Sequence, residues 1–222
     1  MTKQVKSKER VSNFGEVFTA EREVNAMLDL VKDEANNIES TFLEPGCGDG
    51  NFLAQILKRK LQIVKKRYSK SHASYEKYSI IAITSIYGVD ILQDNVNACI
   101  ERLYKIWNDE YTSVCKKESN DICRQSCRYI LSKNILCGDA LTMLKSDGTP
   151  ITFAEWKLAS NTLLKRRDFQ LSQLLEGTGE NGVIQQSLFW DGWEYDEETH
   201  SYIPAPIKEY SLVDYRRVQE NE

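Results

Sequence analysis

Apolar and polar positions follow two periods along this chain. Val24, Met27, Leu28 and Val31 recur at +3, +4 and +7, the spacing of one buried helical face, and Thr19 stands before them at an N-cap position. Residues 40–44 form a short β-prone run ending in a glycine cluster, after which Phe52, Leu53, Ile56, Leu57, Leu61 and Val64 make a second helical stripe. Residues 80–90, I-I-A-I-T-S-I-Y-G-V-D, read as a buried strand, and Val96, Cys99, Ile100, Leu103 and Trp107 continue a helical stripe after it. Residues 135–137 give a third β-like piece before Gly138 and Asp139. Strands alternating with helices predict an α/β fold built on a parallel sheet with right-handed crossovers.

Beyond about residue 150 the alternation fades. Residues 151–158 read as a strand or an irregular segment, 168–176 as a short helix and 177–182 as a loop. The last forty residues, with L-F-W-D-G-W-E-Y and D-E-E-T-H-S-Y-I-P, predict a hairpin or an irregular wrap. Two regions result, 1–150 and 151–222, the second being either the remainder of the sheet or a C-terminal cap.

Composition narrows the class. The 222 residues carry 29 Lys+Arg and 33 Asp+Glu, a net charge of −4, with 41% hydrophobic residues, as in an ordinary globular protein. No apolar run approaches the roughly 20 residues of a membrane-spanning helix, and the N-terminus lacks an apolar signal region, so a cytoplasmic protein with no membrane partner is expected. The six cysteines are then reduced thiols. Cys123 and Cys127, four apart on one helical face with Ile130 and Leu131, read as small core residues, and neither His72 nor His200 stands at a zinc-finger spacing, so no metal is expected.

The densest chemistry lies in F-L-E-P-G-C-G-D-G-N-F-L, residues 42–53. A strand ends at Glu44, Gly46, Gly48 and Gly50 allow a sharp turn and close approach to a ligand, and a helix begins near Asn51. Open α/β sheets bind ligands at that carboxyl edge. A diphosphate would be repelled by Glu44 and Asp49, and no G-K-[ST] follows for a P-loop, whereas a ligand with a cationic centre and an ammonium group suits the acidic turn. Asp90 and Asp139 end two further strands of the same sheet and direct acceptors at the same crevice.

These segments resemble the class I S-adenosylmethionine-dependent methyltransferases, and among them the N6-adenine DNA methyltransferases of restriction–modification systems, over about residues 13–144. N-F-G-E-V-F-T-A (13–20) is similar to the segment that closes over the methionine end of the cofactor, with Ala20 where F-T-P is usual. L-E-P-G-C-G-D-G-N-F (43–52) resembles the principal cofactor motif, Y-G-V-D-I (87–91) the second strand, and C-G-D-A-L (137–141) the third. The resemblance implies a Rossmann-like sheet with helices on both faces, complete or incomplete. It implies S-adenosyl-L-methionine as cofactor, bound by Phe18, Thr19, Glu44, Gly46, Gly48, Gly50, Asp90, Ile91, Asp139 and Ala140. In that reading Asp90 accepts from the ribose hydroxyls and Asp139 from the adenine amino group.

The prolines set a limit. The family's catalytic [DNS]-P-P-[YF] is missing, because Pro45, Pro150, Pro204 and Pro206 are never adjacent, so no catalytic residue is assigned. Two basic clusters, Lys58, Arg59, Lys60, Lys65, Lys66, Arg67, Lys70 and Lys165, Arg166, Arg167, either contact DNA phosphates or are solvated, and Trp156, Trp190 and Trp193 either stack on a base or pack within the protein. Three functions follow: a DNA adenine methyltransferase; a methyltransferase acting on RNA, protein or a small molecule; or a degenerate or split subunit working through a separate catalytic or target-recognition chain.

Overall fold

The computed structural model describes residues 7–14, 19–176, 193–196 and 201–221. In chain order the elements are α1 (Lys8–Phe14), α2 (Glu21–Leu30), α3 (Lys32–Ala35), β1 (Phe42–Glu44), α4 (Asn51–Tyr68), α5 (His72–Thr84), β2 (Ile86–Asp90), α6 (Gln93–Cys115), α7 (Asp121–Asn134) and β3 (Ile135–Cys137). There follow β4 (Thr152–Leu158), β5 (Leu163–Gln170), α8 (Leu171–Glu176), β6 (Trp193–Asp196), β7 (Ser201–Pro204), β8 (Lys208–Glu209) and β9 (Val213–Asp214). No helix among the described residues is long and apolar enough to cross a membrane.

The protein is α/β. β1, β2 and β3 form a parallel sheet in that order, with Glu44 opposite Gly88 and Asp90 opposite Cys137. This register brings the carboxyl ends of the three strands to one edge. α4, α5, α6 and α7 pack on one another, and their apolar side chains share one core cluster with Ile86 and Ile135. The helical stripe of α4 is buried as expected, with Leu53, Leu57 and Val64 fully enclosed. Cys123 and Cys127 lie fully buried on α7, whose N-cap Asn120 accepts from the Cys123 amide at 2.8 Å.

Two stretches expected from periodicity are different. The apolar run 80–90 is not one strand: residues up to Thr84 complete α5, capped by Ser71, and only Ile86–Asp90 is β. α5 packs against α4, α6 and α7 together, so Ile80, Ile81, Ala82 and Ile83 are all buried, and a helix apolar on every side loses the polar positions that would mark its period. Asn134 fixes the break, its amide donating to Thr84 and Ile86 carbonyls at 3.3 and 3.1 Å. On α2 only Val24 and Leu28 are buried, while Met27 and Val31 are exposed, because the helix rests on α4 along a narrow line. Its N-cap is Ala20, not Thr19.

The region after residue 150 does not extend the parallel sheet. β4 and β5 form an antiparallel hairpin joined by β8 and β9, and the expected helix over 168–176 starts only at Leu171, since Asp168 to Gln170 pair with β4. This unit covers the second face of β2: Tyr87 and Val89 cluster with Ile151, Phe153 and Leu171, and the Tyr87 hydroxyl donates to the Ala154 carbonyl at 2.9 Å. Among the described residues, that face is thus covered by the hairpin unit and the first residue of α8, where crossover helices were expected. The hairpin expected near the C-terminus is present as β6 and β7.

Candidate functional site

A cavity of about 540 Å³ opens at the carboxyl edge of the parallel sheet, within the size range of small-molecule sites. Of the residues expected from the sequence, Thr19, Glu44, Gly46, Gly48, Asp90, Ile91, Asp139 and Ala140 line it together. Gly50 lies behind the turn, against Cys99, and Phe18 falls outside the described residues.

The turn is built by its glycines and by bonds to the strand ends. Gly48 and Gly50 take φ of 52° and 83°, a region that costs an L side chain about 1–2 kcal/mol. The Cys47 amide donates to the Val89 carbonyl at 2.9 Å, and the Gly50 amide returns to Cys47. Gly46 is different: a Cβ there would meet nothing within 4 Å, so its open side faces the crevice.

Three acids of different status meet here. Glu44 is half-buried, burial pushes its carboxyl above the ordinary range, and among the described residues no cation compensates it. Asp90 is already engaged: Oδ2 accepts from the Gly48 amide at 2.9 Å, and Oδ1 from the Leu92 amide at 2.9 Å and the Asn95 side chain at 3.1 Å. A carboxylate offers about four acceptor positions, so Oδ2 keeps one for a ligand. Asp139 accepts from the Leu141 amide through Oδ1 at 2.9 Å, and a carboxylate has further acceptor positions on its second oxygen. The other acid of the turn, Asp49, is neutralised by Arg102 at 2.6 Å.

Several lining residues escaped sequence reasoning, notably Cys47, Asn51, Leu92, Asn95 and Leu141. Asn51 and Asn95 stand in the first turns of α4 and α6, and a helix that follows a parallel strand begins at the ligand edge, a positional signal that finds both. Cys47 is no nucleophile: its hydrogen bond with Cys99, then burial, push the thiol far above its ordinary range.

Most residues of the basic clusters are drawn into the protein's own ion pairs. Arg59 pairs with Asp29 at 2.8 Å, Lys65 with Glu110 at 2.9 Å, and Lys58 with Glu21 at 3.6 Å. Lys60 is fully buried, donating to the Ile38 carbonyl and Ser85 Oγ, while Lys66 and Arg67 are exposed near the far end of α4, roughly 20 Å from its N-terminus at the cavity. Lys165 pairs with Glu209, Arg167 with Glu155, and Arg166 is buried against Asp168, with its guanidinium 4.1 Å from the Tyr210 ring centre. Among the described residues, no continuous cationic face toward the cavity results. Trp156 is half-buried against the core, donating to Asn134 at 2.9 Å; Trp190 lies outside the described residues.

Fold and site together define an α/β protein with an acidic, open crevice at the carboxyl edge of a three-stranded parallel sheet. No protein-family model, no curated protein and no solved structure matches the chain.

Proposed function

We propose that the crevice binds S-adenosyl-L-methionine and that the protein belongs functionally with the DNA adenine methyltransferases. The observation that carries the cofactor reading is the convergence of Glu44, Asp90 and Asp139 on one cavity behind a glycine turn open at Gly46. A desolvated Glu44 without a cation favours a ligand that brings positive charge, and acceptor positions on Asp90 and Asp139 suit a ligand with hydroxyl and amino donors. A nucleotide diphosphate would meet three acids, Glu44, Asp90 and Asp139, and no cation among the lining residues. The cavity volume also accommodates a ligand of that size.

When bound, the cofactor supplies an electrophilic methyl group on a sulfonium centre. The residues of this chain bind and orient: Glu44 holds the cationic end, Asp90 and Asp139 fix the hydrogen-bond donors, and Ile91 and Ala140 flank them with apolar surface. Positioning is the main contribution a protein makes to such a displacement. Calorimetry with S-adenosylmethionine tests the premise, and an absence of heat at millimolar ligand would refute it.

A second reading, that of a split or degenerate subunit, is favoured by two observations. The chain has no [DNS]-P-P-[YF], and among the described residues β1 has a neighbour only on one side, so the parallel sheet ends there after three strands joined by paired helices. The ion pairs of Arg59, Lys65, Arg166 and Arg167 point the same way, since these cations are already engaged and a partner would supply much of any nucleic-acid contact. Transfer of labelled methyl to unmethylated DNA by the protein alone would discard this reading; cofactor binding without transfer would favour it over an RNA, protein or small-molecule methyltransferase only if those acceptors also stay unlabelled.

A further inference from the structure

Asp90 is held from the start of α6 as well as from the glycine turn. Asn95, 1% exposed, uses both ends of its amide: Nδ2 donates to Asp90 Oδ1 at 3.1 Å, and Oδ1 accepts from Arg10 Nη2 at 3.2 Å. Arg10 belongs to α1, and its guanidinium also grips Asp94 with two bonds, Nη1 to Oδ2 at 2.6 Å and Nη2 to Oδ1 at 3.2 Å. The fork geometry suits arginine alone, because an ammonium cannot present parallel donors to a carboxylate and a neighbouring amide. The orientation of the Asn95 amide is fixed by its neighbours, with a donor facing its oxygen and an acceptor facing its nitrogen.

We propose that Asn95 is a positioning residue of the crevice that carries the docking of α1 to Asp90, so that α1 docking and ligand binding strengthen each other. The inference rests on the cofactor reading above and adds a regulatory element to that site. With Arg10 in place, the Asn95 amide is polarised and its N–H is directed at Oδ1, which leaves Oδ2 as the outward acceptor. Without Arg10 the amide loses that polarisation and one of the bonds that fix its orientation, and the N–H to Asp90 Oδ1 is held less firmly. Linkage requires the converse as well: a ligand that fixes Asp90 favours the docked α1.

The test uses the full chain with S-adenosylmethionine as the probe, and Arg10→Ala, Arg10→Lys, Asn95→Ala and the double variant Arg10→Ala/Asn95→Ala. Affinity by calorimetry is expected to fall about tenfold in Arg10→Ala and to stay low in Arg10→Lys, which keeps the charge but not the fork. The double variant is expected within about twofold of Asn95→Ala, because the second change removes a link already cut. Backbone amide exchange over residues 8–14 is expected to slow on ligand addition in the wild-type protein and not in Asn95→Ala, a readout that a purely structural asparagine would not move. Wild-type binding with unchanged affinity in Arg10→Ala, or effects that multiply in the double variant, would overturn the relay. Failure of the wild-type protein itself to bind would overturn the cofactor reading and the relay with it.

Discussion

Replacing Gly50 and Gly46 separately by alanine distinguishes a glycine needed by the fold from one needed by a ligand. At Gly50 the backbone is left-handed, φ 83°, and a Cβ would stand 2.6 Å from Cys99 Sγ and 3.2 Å from Cys99 Cα. The conformational term costs about 1–2 kcal/mol, and forcing α6 or the turn aside costs about 1–3 more, giving roughly 2–5 kcal/mol. For a chain of this size each kcal/mol lowers Tm by about 2–4 °C, so Gly50→Ala is expected to melt about 4–20 °C below wild type. Cys99→Ala in that background removes the sulfur but leaves the α6 backbone where it crowds the new methyl, and should restore only part of the loss. Gly46→Ala has neither a left-handed backbone nor a neighbour within 4 Å, and its Tm is expected within about 2 °C of wild type. Its S-adenosylmethionine affinity should nonetheless fall, because the added methyl enters the crevice. Thermal unfolding and calorimetry read the two effects separately. A Gly50→Ala protein as stable as wild type would refute the steric argument, and a Gly46→Ala protein with unchanged affinity would remove that glycine from the binding surface.

Further predictions concern charges at the site and in the core. Glu44→Gln should weaken a cationic ligand; in the wild-type protein affinity should climb as pH rises through the raised Glu44 pKa and level off above it, a trend that binding titrations across acidic pH would lack if Glu44 were not in contact. Burial lowers the pKa of Lys60 to about 7, against 10.5 ordinarily, so between those values the unfolded chain holds the extra proton and stability rises with pH, by up to roughly 1.4 kcal/mol per pH unit. Urea unfolding of wild type and Lys60→Met from pH 7 to 10 should therefore diverge, and parallel curves would refute this. Glu76 is a buried hub that accepts from Tyr111, Asn120, Tyr215 and Arg216, tying residues near the C-terminus to α5; Glu76→Ala should cost about 3–5 kcal/mol by denaturant titration, and a loss under about 1 would show the hub to be dispensable.

Elements whose two faces differ in environment were readable from the sequence. α4 and α6 each bury one stripe and expose the other, so their 3.6-residue period survives in the order of residues. α5 was not readable, because neighbours on every side erase that period, and β5 was masked because Lys165, Arg166 and Arg167 look like a solvated run until Glu155, Asp168 and Glu209 are brought beside them. The site divides in the same way. Glycine spacing and strand-end acids announce Glu44, Asp90 and Asp139, whereas Asn95 and Arg10 carry no local mark and gain their roles across 85 residues of chain.

The sequence by itself therefore determined the alternation of strands and helices, the acidic glycine turn and the absence of the paired-proline motif, all of which depend on residues close in the chain. Only the tertiary structure decided the strand order, the covering of β2 by the β4–β5 hairpin, the ion pairing of Arg59, Lys65, Lys165, Arg166 and Arg167, and the link from Arg10 through Asn95 to Asp90. The physical reason is range: propensity and periodicity act over a few residues, while burial and charge pairing depend on which distant segments the folded core brings into contact.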